Sequence, residues 1–159
     1  MKPLTGKVAV VAGATRGAGR GIAVELGAGE QERVHKIRKV LTQDASKVAF
    51  RTSYVREDTV PKLLQADLRP PLHHVLETVF GLSAVEAEEK IEYIAADAFR
   101  ASMLEVGEHH PLILIVRIVY AASGEPIECA RTYYRADEFR FSRRLQRAGW
   151  PSSVHAIAT

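Results

Sequence analysis

Alternating apolar and polar positions predict two antiparallel hairpins in this chain of 159 residues. The segment RVHKIRKV, residues 33–40, alternates, and the polar stretch TQDAS separates it from the β-rich segment KVAFRTSYV, residues 47–55. Farther along, an apolar and β-branched run at residues 112–120 leads into the turn ASGEP and a second run, IECARTYYR. Two such runs joined by a polar turn are typical of a β-hairpin.

Apolar residues at helical spacing lie between these hairpins. In PPLHHVLETVFGL, residues 70–82, the apolar stripe consists of Leu72, Val75, Leu76, Val79 and Phe80. Proline at the start of this segment and Gly81 at its end fit the boundaries of a helix. We also predict a short helix near residues 60–66 and another over AADAFRASMLEVG, residues 95–107, ending at Gly107.

The segment VEAEEKIEYIAAD, residues 85–97, fits a helix by composition and a strand by alternation, and both stay open. Short helices between antiparallel hairpins differ from the alternating strands and helices of a nucleotide-binding sheet. We therefore predict the α+β class, an antiparallel sheet with flanking helices.

The N-terminal part suggests a different chemistry. KVAVVAG, residues 7–13, has the pattern of a buried strand, and Gly13, Gly17 and Gly19 lie between it and a segment with helical character. Glycines at such a turn let a pyrophosphate approach the backbone, and the following helix N-terminus favours an anion. LTGKVAVVAGATRGAGRGIAVELGA resembles the N-terminus of short-chain dehydrogenases/reductases, which implies an NAD(P) site at these three glycines.

Two observations disfavour an oxidoreductase. The family that this segment resembles places a catalytic Tyr four residues before a Lys, and none of the five tyrosines here has Lys at that position. A full dinucleotide-binding fold also needs roughly 250 residues. We therefore favour a tight strand-to-helix connection, and expect no catalytic residue and no cofactor. NAD(P) binding by an oxidoreductase remnant stays as the alternative.

Composition and charge exclude several other classes. No run of 18 apolar residues is present and the N-terminus lacks the apolar core of a signal peptide, so we expect no membrane span and a cytoplasmic location. The single cysteine, Cys129, excludes an internal disulfide and is expected to be a buried thiol. Adjacent histidines at 73–74 and 109–110 rarely bind one metal, and no metal site is expected. The net charge of +3 is spread along the chain, which does not indicate nucleic acid binding.

The late hairpin carries a more specific pattern. Residues 110–145 contain an apolar strand with Arg117, a turn with Gly124 and Pro126, and then the string YRADEFRF. LLQADLRPPLHHVLETVFGL and ERVHKIRKVLTQDASKVAFRTSYV add two more segments in the same order. Together they resemble the UTRA domain, the effector-binding domain of GntR-type transcriptional regulators of the HutC branch, over residues 23–146.

This resemblance implies a chorismate lyase-like fold with a small-molecule pocket between sheet and helices. On this interpretation residues 1–22 are the oxidoreductase-like strand, turn and helix, packed on the same sheet in place of the family's own first strand and helix, and residues 147–159 form a tail. Carried over residue by residue, the ligand-binding residues are Lys36, Arg38, Arg51, Glu128 and Tyr134. Lys36 and Arg38 share a face of a strand and could bind one anion.

Two positions depart from the family pattern and shape the expected ligand. Pro71 replaces a Ser at the start of the second helix, which removes a hydroxyl and an N–H donor. Arg51 replaces a Glu of the first hairpin and adds positive charge. Both changes disfavour a sugar phosphate and favour an acidic effector.

The resemblance implies a small-molecule sensor, expected to form a homodimer through its sheet. A winged helix-turn-helix precedes the UTRA domain in these regulators, and the first 30 residues here do not resemble one. We therefore expect no DNA binding from this chain alone. A fusion that folds but binds nothing stays open as a further alternative.

Overall fold

The computed structural model describes the backbone of residues 11–16, residues 22 and 25–27, and all of residues 33–140. In chain order the strands are β1 (Val11–Arg16), β2 (Arg33–Gln43), β3 (Ser46–Arg56), β4 (Ala84–Ala95), β5 (Pro111–Ala121) and β6 (Pro126–Arg135). The helices are α1 (Leu72–Phe80) and α2 (Ala98–Leu104), with a one-turn 3-10 helix at Leu63–Gln65.

All six strands form one sheet in the order β1-β2-β3-β6-β5-β4, and every neighbouring pair is antiparallel. The predicted hairpins are confirmed as β2–β3 and β5–β6. Pairing of β3 with β6 joins the two hairpins, so residues far apart in sequence lie side by side at the centre. The predicted class, an α+β fold with an antiparallel sheet, is confirmed.

Alternation along the strands gives the sheet two buried faces, and one of the two helices α1 and α2 packs on each. On the face that we call the α1 face, Ile37 and Val55 pack against Val75 and Leu76 of α1. On the opposite face, the α2 face, Phe50 and the strand residues beside it pack against Ala101 and Leu104 of α2 and against the buried Ile22 and Leu26. Each strand therefore sends alternate side chains into two separate cores.

The helical predictions hold with two adjustments. Helix α1 begins after Pro71 and is capped by Gly81, whose φ of 69° is the left-handed conformation that glycine adopts most readily. The short helix predicted over residues 60–66 is a single 3-10 turn. Helix α2 ends at Leu104 and is capped by Glu105, not by Gly107, because Glu105 itself adopts the left-handed conformation, with φ of 55°.

The ambiguous segment 85–97 is mostly strand β4, at the outer edge of the sheet. Nearly all of its residues are exposed, so it buries no apolar stripe from which a period could be recognised. Its regularity comes from backbone pairing with β5, which runs from Ala84 beside Ala121 to Ala95 beside Pro111.

The predicted glycine turn is wrong where the structure describes it. Gly13 and the three residues after it are not a turn but belong to β1, which pairs with β2 from Val11 beside Arg38 to Arg16 beside Arg33. Backbone groups engaged in a strand ladder are not free to bind a pyrophosphate. Gly17 and Gly19 lie outside the described residues. Residues 7–10 of the predicted N-terminal strand lie outside the described residues, and the strand that is described, Val11–Arg16, pairs with β2 at the edge of the sheet.

Candidate functional site

The structure places the predicted site residues on both faces of the sheet. Lys36 and Arg38 share one face, as predicted, and point toward α2. Arg51 and Glu128 contact each other on the α1 face. The five residues therefore do not line a single pocket, and two regions have to be considered separately.

A buried ion pair is the main polar feature of the α1 face. Arg51 donates from Nη2 to Oε1 of Glu128 at 3.1 Å, which joins β3 to β6. The Glu128 side chain is 1% exposed, whereas that of Arg51 is 25% exposed. A carboxylate so fully removed from water needs a compensating cation. Arg51 supplies that cation, and a quarter of its side chain stays exposed.

Lys39 joins this pair, and sequence reasoning missed it. Its Nζ donates to the carbonyl oxygen of Pro70 at 2.7 Å, just before α1 begins. Burial lowers the pKa of Lys39, and the Arg51 charge lowers it further, whereas Glu128 and Asp67 oppose both. The available signal was a lysine on the same side of β2 as the core residue Ile37, where an apolar side chain is the norm.

The start of α1 completes what we call the helix-start cluster: Lys39, Arg51, Glu128 and residues 70–73. Pro71 precedes the helix and provides no side-chain cap. The first backbone N–H groups of a helix have no acceptor within it, and its dipole is positive at this end. Two cations and a helix N-terminus therefore converge around one carboxylate, which favours an anionic group.

Tyr134 lies on the same side of β6 as Glu128 but far along the strand. The two are six positions apart, which is about 20 Å in extended backbone. Its ring packs on Phe139, with centroids 5.0 Å apart. The structure therefore does not bring Tyr134 to the helix-start cluster.

The α2 face carries a basic cleft of about 190 Å³. We call it the α2-face cleft; its lining residues are Lys36, Arg38, Phe50, Thr52, Tyr54, Phe99, Arg100, Arg131 and Tyr133. Sequence reasoning found Lys36 and Arg38 but missed Arg100 and Arg131. Those two lie on α2 and β6, and only the pairing of β3 with β6 and the packing of α2 on β3 bring them to β2.

Aromatic rings hold the cations of the cleft. Arg38 lies over the Phe99 ring at 5.2 Å from its centroid, and Arg100 lies over Tyr133 at 4.5 Å. Burial lowers the pKa of Lys36, and the neighbouring Arg38 lowers it further. Electron-rich ring faces attract cations, but they do not cancel the positive charge.

Cys129 is a buried thiol, as predicted. Its Sγ donates to Oε2 of Glu25 at 3.0 Å. Burial, followed by the hydrogen bond and charge of Glu25, raises its pKa to about 12. The thiolate that a nucleophile or metal ligand requires is therefore strongly disfavoured at neutral pH. Across residues 33–140 and the shorter described stretches, no group of three or more His, Cys, Asp or Glu is placed to hold a metal ion.

Most of this chain is similar in sequence to known proteins. The profile of the UTRA domain family matches residues 5–140. The chain is 25% identical over 126 residues to the HTH-type transcriptional repressor NagR of Bacillus subtilis, covering 79% of this chain and 52% of NagR. It therefore spans about half the length of that relative.

Solved structures of related domains share the fold of this chain. The ligand-binding domain of a GntR-family regulator from Bordetella bronchiseptica superposes with a TM-score of 0.77 at 25% identity, covering 88% of each chain. The effector domain of PhnF from Mycobacterium smegmatis gives a TM-score of 0.80 at 23% identity, covering 87% of this chain and 86% of that one. The family match begins at residue 5 and includes the glycine-containing segment, so an oxidoreductase origin for that segment is not supported.

Proposed function

This chain belongs to the UTRA domain family, the ligand-binding domains of GntR-type regulators, and we propose that it senses a small anionic effector at the helix-start cluster. The observation that carries the proposal is the buried Arg51–Glu128 pair beside the start of α1. Arg51 can bind a carboxylate or phosphate through two donors, whereas Lys39 adds a point charge. Glu128 can accept a hydrogen bond from a hydroxyl or amine of the same ligand.

A bound effector would act on α1 directly, because Lys39 contacts the chain just before this helix. The Lys39 ammonium holds the Pro70 carbonyl at 2.7 Å, and Leu72, Val75 and Leu76 hold the helix on the sheet. An anion beside Lys39 competes with the Pro70 carbonyl for its N–H donors. We propose that this competition shifts the start of α1 between a free and a bound position, which couples occupancy to the helix.

The role of the whole protein is part of the proposal. NagR is a repressor, and we propose that the present chain is likewise the sensing part of transcriptional control, in the cytoplasm where DNA is read, without catalytic activity of its own. The 159 residues alone are predicted not to bind DNA. A gel-shift assay with tight, sequence-specific binding would refute that prediction.

No helix within the described parts of the chain is long and apolar enough to cross a membrane.

A homodimer is the second part of the proposal. On one side of the outer strands, Ile91 pairs with Ile115 and Tyr93 with Ile113, and we call these four residues the β4–β5 patch. Ile91 is 51% and Tyr93 71% exposed. Arg117 donates to Glu89 at 2.6 Å beside the patch, so this border does not repel an identical copy. A second copy of the chain is the partner that such a patch fits by two-fold symmetry.

Sedimentation velocity tests the dimer. Tyr93→Glu places a charge in the patch and is expected to convert the dimer to a monomer, because a buried unpaired carboxylate is costly. Val79→Glu is the matched control, since Val79 is 60% exposed on α1, outside the patch. A monomeric wild-type chain, or a Tyr93→Glu variant that still dimerises, would contradict this interface.

A thermal-shift screen tests the effector site. The panel contains sugar phosphates, small carboxylic acids, fatty acids and NADPH. A ligand present at 100 times its dissociation constant stabilises a protein by about 2.7 kcal/mol. We expect a small carboxylic acid to stabilise the chain, and Lys39→Met to abolish that shift. Lys90→Met is the control, because it removes one lysine from the outer strand β4, where the Lys90 side chain is 59% exposed and outside the cluster. A shift with NADPH alone would contradict the proposal.

A further inference from the structure

We propose that the α2-face cleft is a second anion site, independent of the helix-start cluster, which binds a small molecule through a phosphate group. The two sites lie on opposite faces of one sheet. Residues of the cleft come from β2, β3, β6 and α2, whereas the helix-start cluster is bounded by α1.

Strand register arranges the cations of the cleft around one point. Arg38 pairs with Thr52, and Thr52 pairs with Arg131, so the three residues form one row across β2, β3 and β6. Neighbours in such a row have Cβ atoms about 5 Å apart. Two arginines therefore flank a central threonine at a separation that lets both guanidinium groups reach an anion held over Thr52.

The next row of strand residues and helix α2 each add one more cation to the cleft. Lys36 lies beside Tyr54 in the next row, with its Nζ 5.7 Å from the ring centroid. Helix α2 contributes Arg100 from above, and Arg100 donates to the Tyr133 hydroxyl at 3.3 Å. Four cations thus surround the space that the strands and α2 leave open.

The charge of this cleft is only partly compensated. Asp97 pairs with Arg100, and a Glu25 oxygen lies 3.7 Å from Arg131. Across the described part of the chain, neither Lys36 nor Arg38 has a carboxylate partner. Among the described residues, the Nε atoms of Arg38 and Arg131 are buried without a hydrogen-bond acceptor, as is that of Arg51 on the other face. A buried donor without an acceptor costs free energy, and a bound anion removes that cost.

A phosphate group fits this donor set best. It offers several strong acceptor oxygens and carries close to two negative charges at neutral pH. Guanidinium groups on two sides can each form paired hydrogen bonds with it, which a single carboxylate cannot accept from both. The threonine hydroxyl provides a further donor, and the rings of Phe50 and Phe99 leave apolar surface for the organic part of the ligand.

Isothermal titration of the intact chain with inorganic phosphate and with pyrophosphate tests the site. We expect pyrophosphate to bind, and Arg38→Gln to weaken its binding at least tenfold. Arg33→Gln is the matched control: it removes one arginine from the same strand, but Arg33 pairs with Glu57 outside the cleft and should leave binding unchanged. Circular dichroism and the unfolding midpoint establish that both variants fold. If Arg38→Gln fails to fold, Lys36→Met replaces it.

Four outcomes separate this site from the alternatives. Equal pyrophosphate affinity in wild type and Arg38→Gln would overturn the proposal, as would the absence of any binding. Loss of pyrophosphate binding in Lys39→Met but not in Arg38→Gln would place the phosphate at the helix-start cluster, which supports the proposed effector site and overturns this one. Binding of a single-stranded oligonucleotide without binding of pyrophosphate would assign the cations to nucleic acid and would also overturn it.

Discussion

The two faces of this sheet bury positive charge in different ways. On the α1 face Arg51 is neutralised by a carboxylate that is almost completely buried. On the α2 face Lys36 and Arg38 are held by aromatic rings instead. The first arrangement sets a buried carboxylate against the cation, and a ligand has to compete with that carboxylate. The second leaves positive charge uncompensated until an anion arrives.

Removing one partner of the buried pair should have the largest effect. Glu128→Ala leaves Arg51 without its anion and is expected to lower the free energy of unfolding by about 3–5 kcal/mol. Urea denaturation measures the change. The double variant Arg51→Met/Glu128→Met removes both charges and should recover most of the loss. A loss below 1 kcal/mol in Glu128→Ala would mean that the pair is not a buried constraint, and the contrast between the faces would fail.

The same kind of change on the α2 face should be nearly harmless. Arg38→Met removes a cation that has no carboxylate partner among the described residues, and the unfolding free energy should stay within about 0.5 kcal/mol of wild type or rise. The methionine stem can still pack on Phe99. Urea denaturation without phosphate measures it. A destabilisation as large as that of Glu128→Ala would show that the aromatic cleft supports the fold and is not held ready for an anion.

A pH dependence of phosphate binding should follow from Lys36. Burial and Arg38 lower the pKa of Lys36 below the usual 10.5, so the ammonium loses its proton at lower pH than an exposed lysine. The charged form is present below that lowered pKa and favours the anion. Pyrophosphate affinity should therefore fall as the pH rises through the lowered pKa, below 10.5. Titrations from neutral to alkaline pH measure it. A Lys36→Met variant with the same alkaline loss would contradict this assignment.

Exposed ion pairs at the end of β6 should contribute least to the free energy of unfolding. Arg135 holds the pKa of Asp137 down to about 2, with a smaller contribution from His110, yet Asp137 is 46% exposed. Any stability gained is present above the ordinary pKa of 3.8 and is lost as the pH falls toward 2. Solvent screens such pairs, so Asp137→Asn should change stability by less than about 1 kcal/mol at neutral pH. A larger loss in urea denaturation would show that the end of β6 depends on this pair.

The alternation of apolar and polar residues was sufficient to predict the hairpins and the shared face of Lys36 and Arg38. It was not sufficient to predict on which face Arg51 lies relative to those two residues. The pairing of β2 with β3 shifts between Leu41 and Thr42, close to the turn. Such a shift changes which residue lies opposite which, and the side chains of the second strand then exchange faces relative to a regular hairpin. A single sequence does not determine where that irregularity falls.

The rest of both sites depends on contacts between distant segments. Arg131 reaches the row of Arg38 only because β6 pairs with β3, and Lys39 reaches the start of α1 across 31 positions of sequence. The segment around Gly13 shows that a local sequence pattern can also mislead. Its local pattern predicted a turn, but pairing with the edge of β2 extends Gly13 and its neighbours into a strand. Tertiary pairing overrode the local signal there.

Chemical-shift mapping by NMR tests the central claim most directly. The chain is titrated with the small carboxylic acid that gives the largest thermal shift in the screen, and amide shifts are followed residue by residue. The proposed effector site predicts that the largest changes lie at Lys39, Arg51 and residues 72–76 at the start of α1. Changes confined to Lys36, Arg38 and α2, with none at α1, would contradict it and place effector sensing on the other face of the sheet.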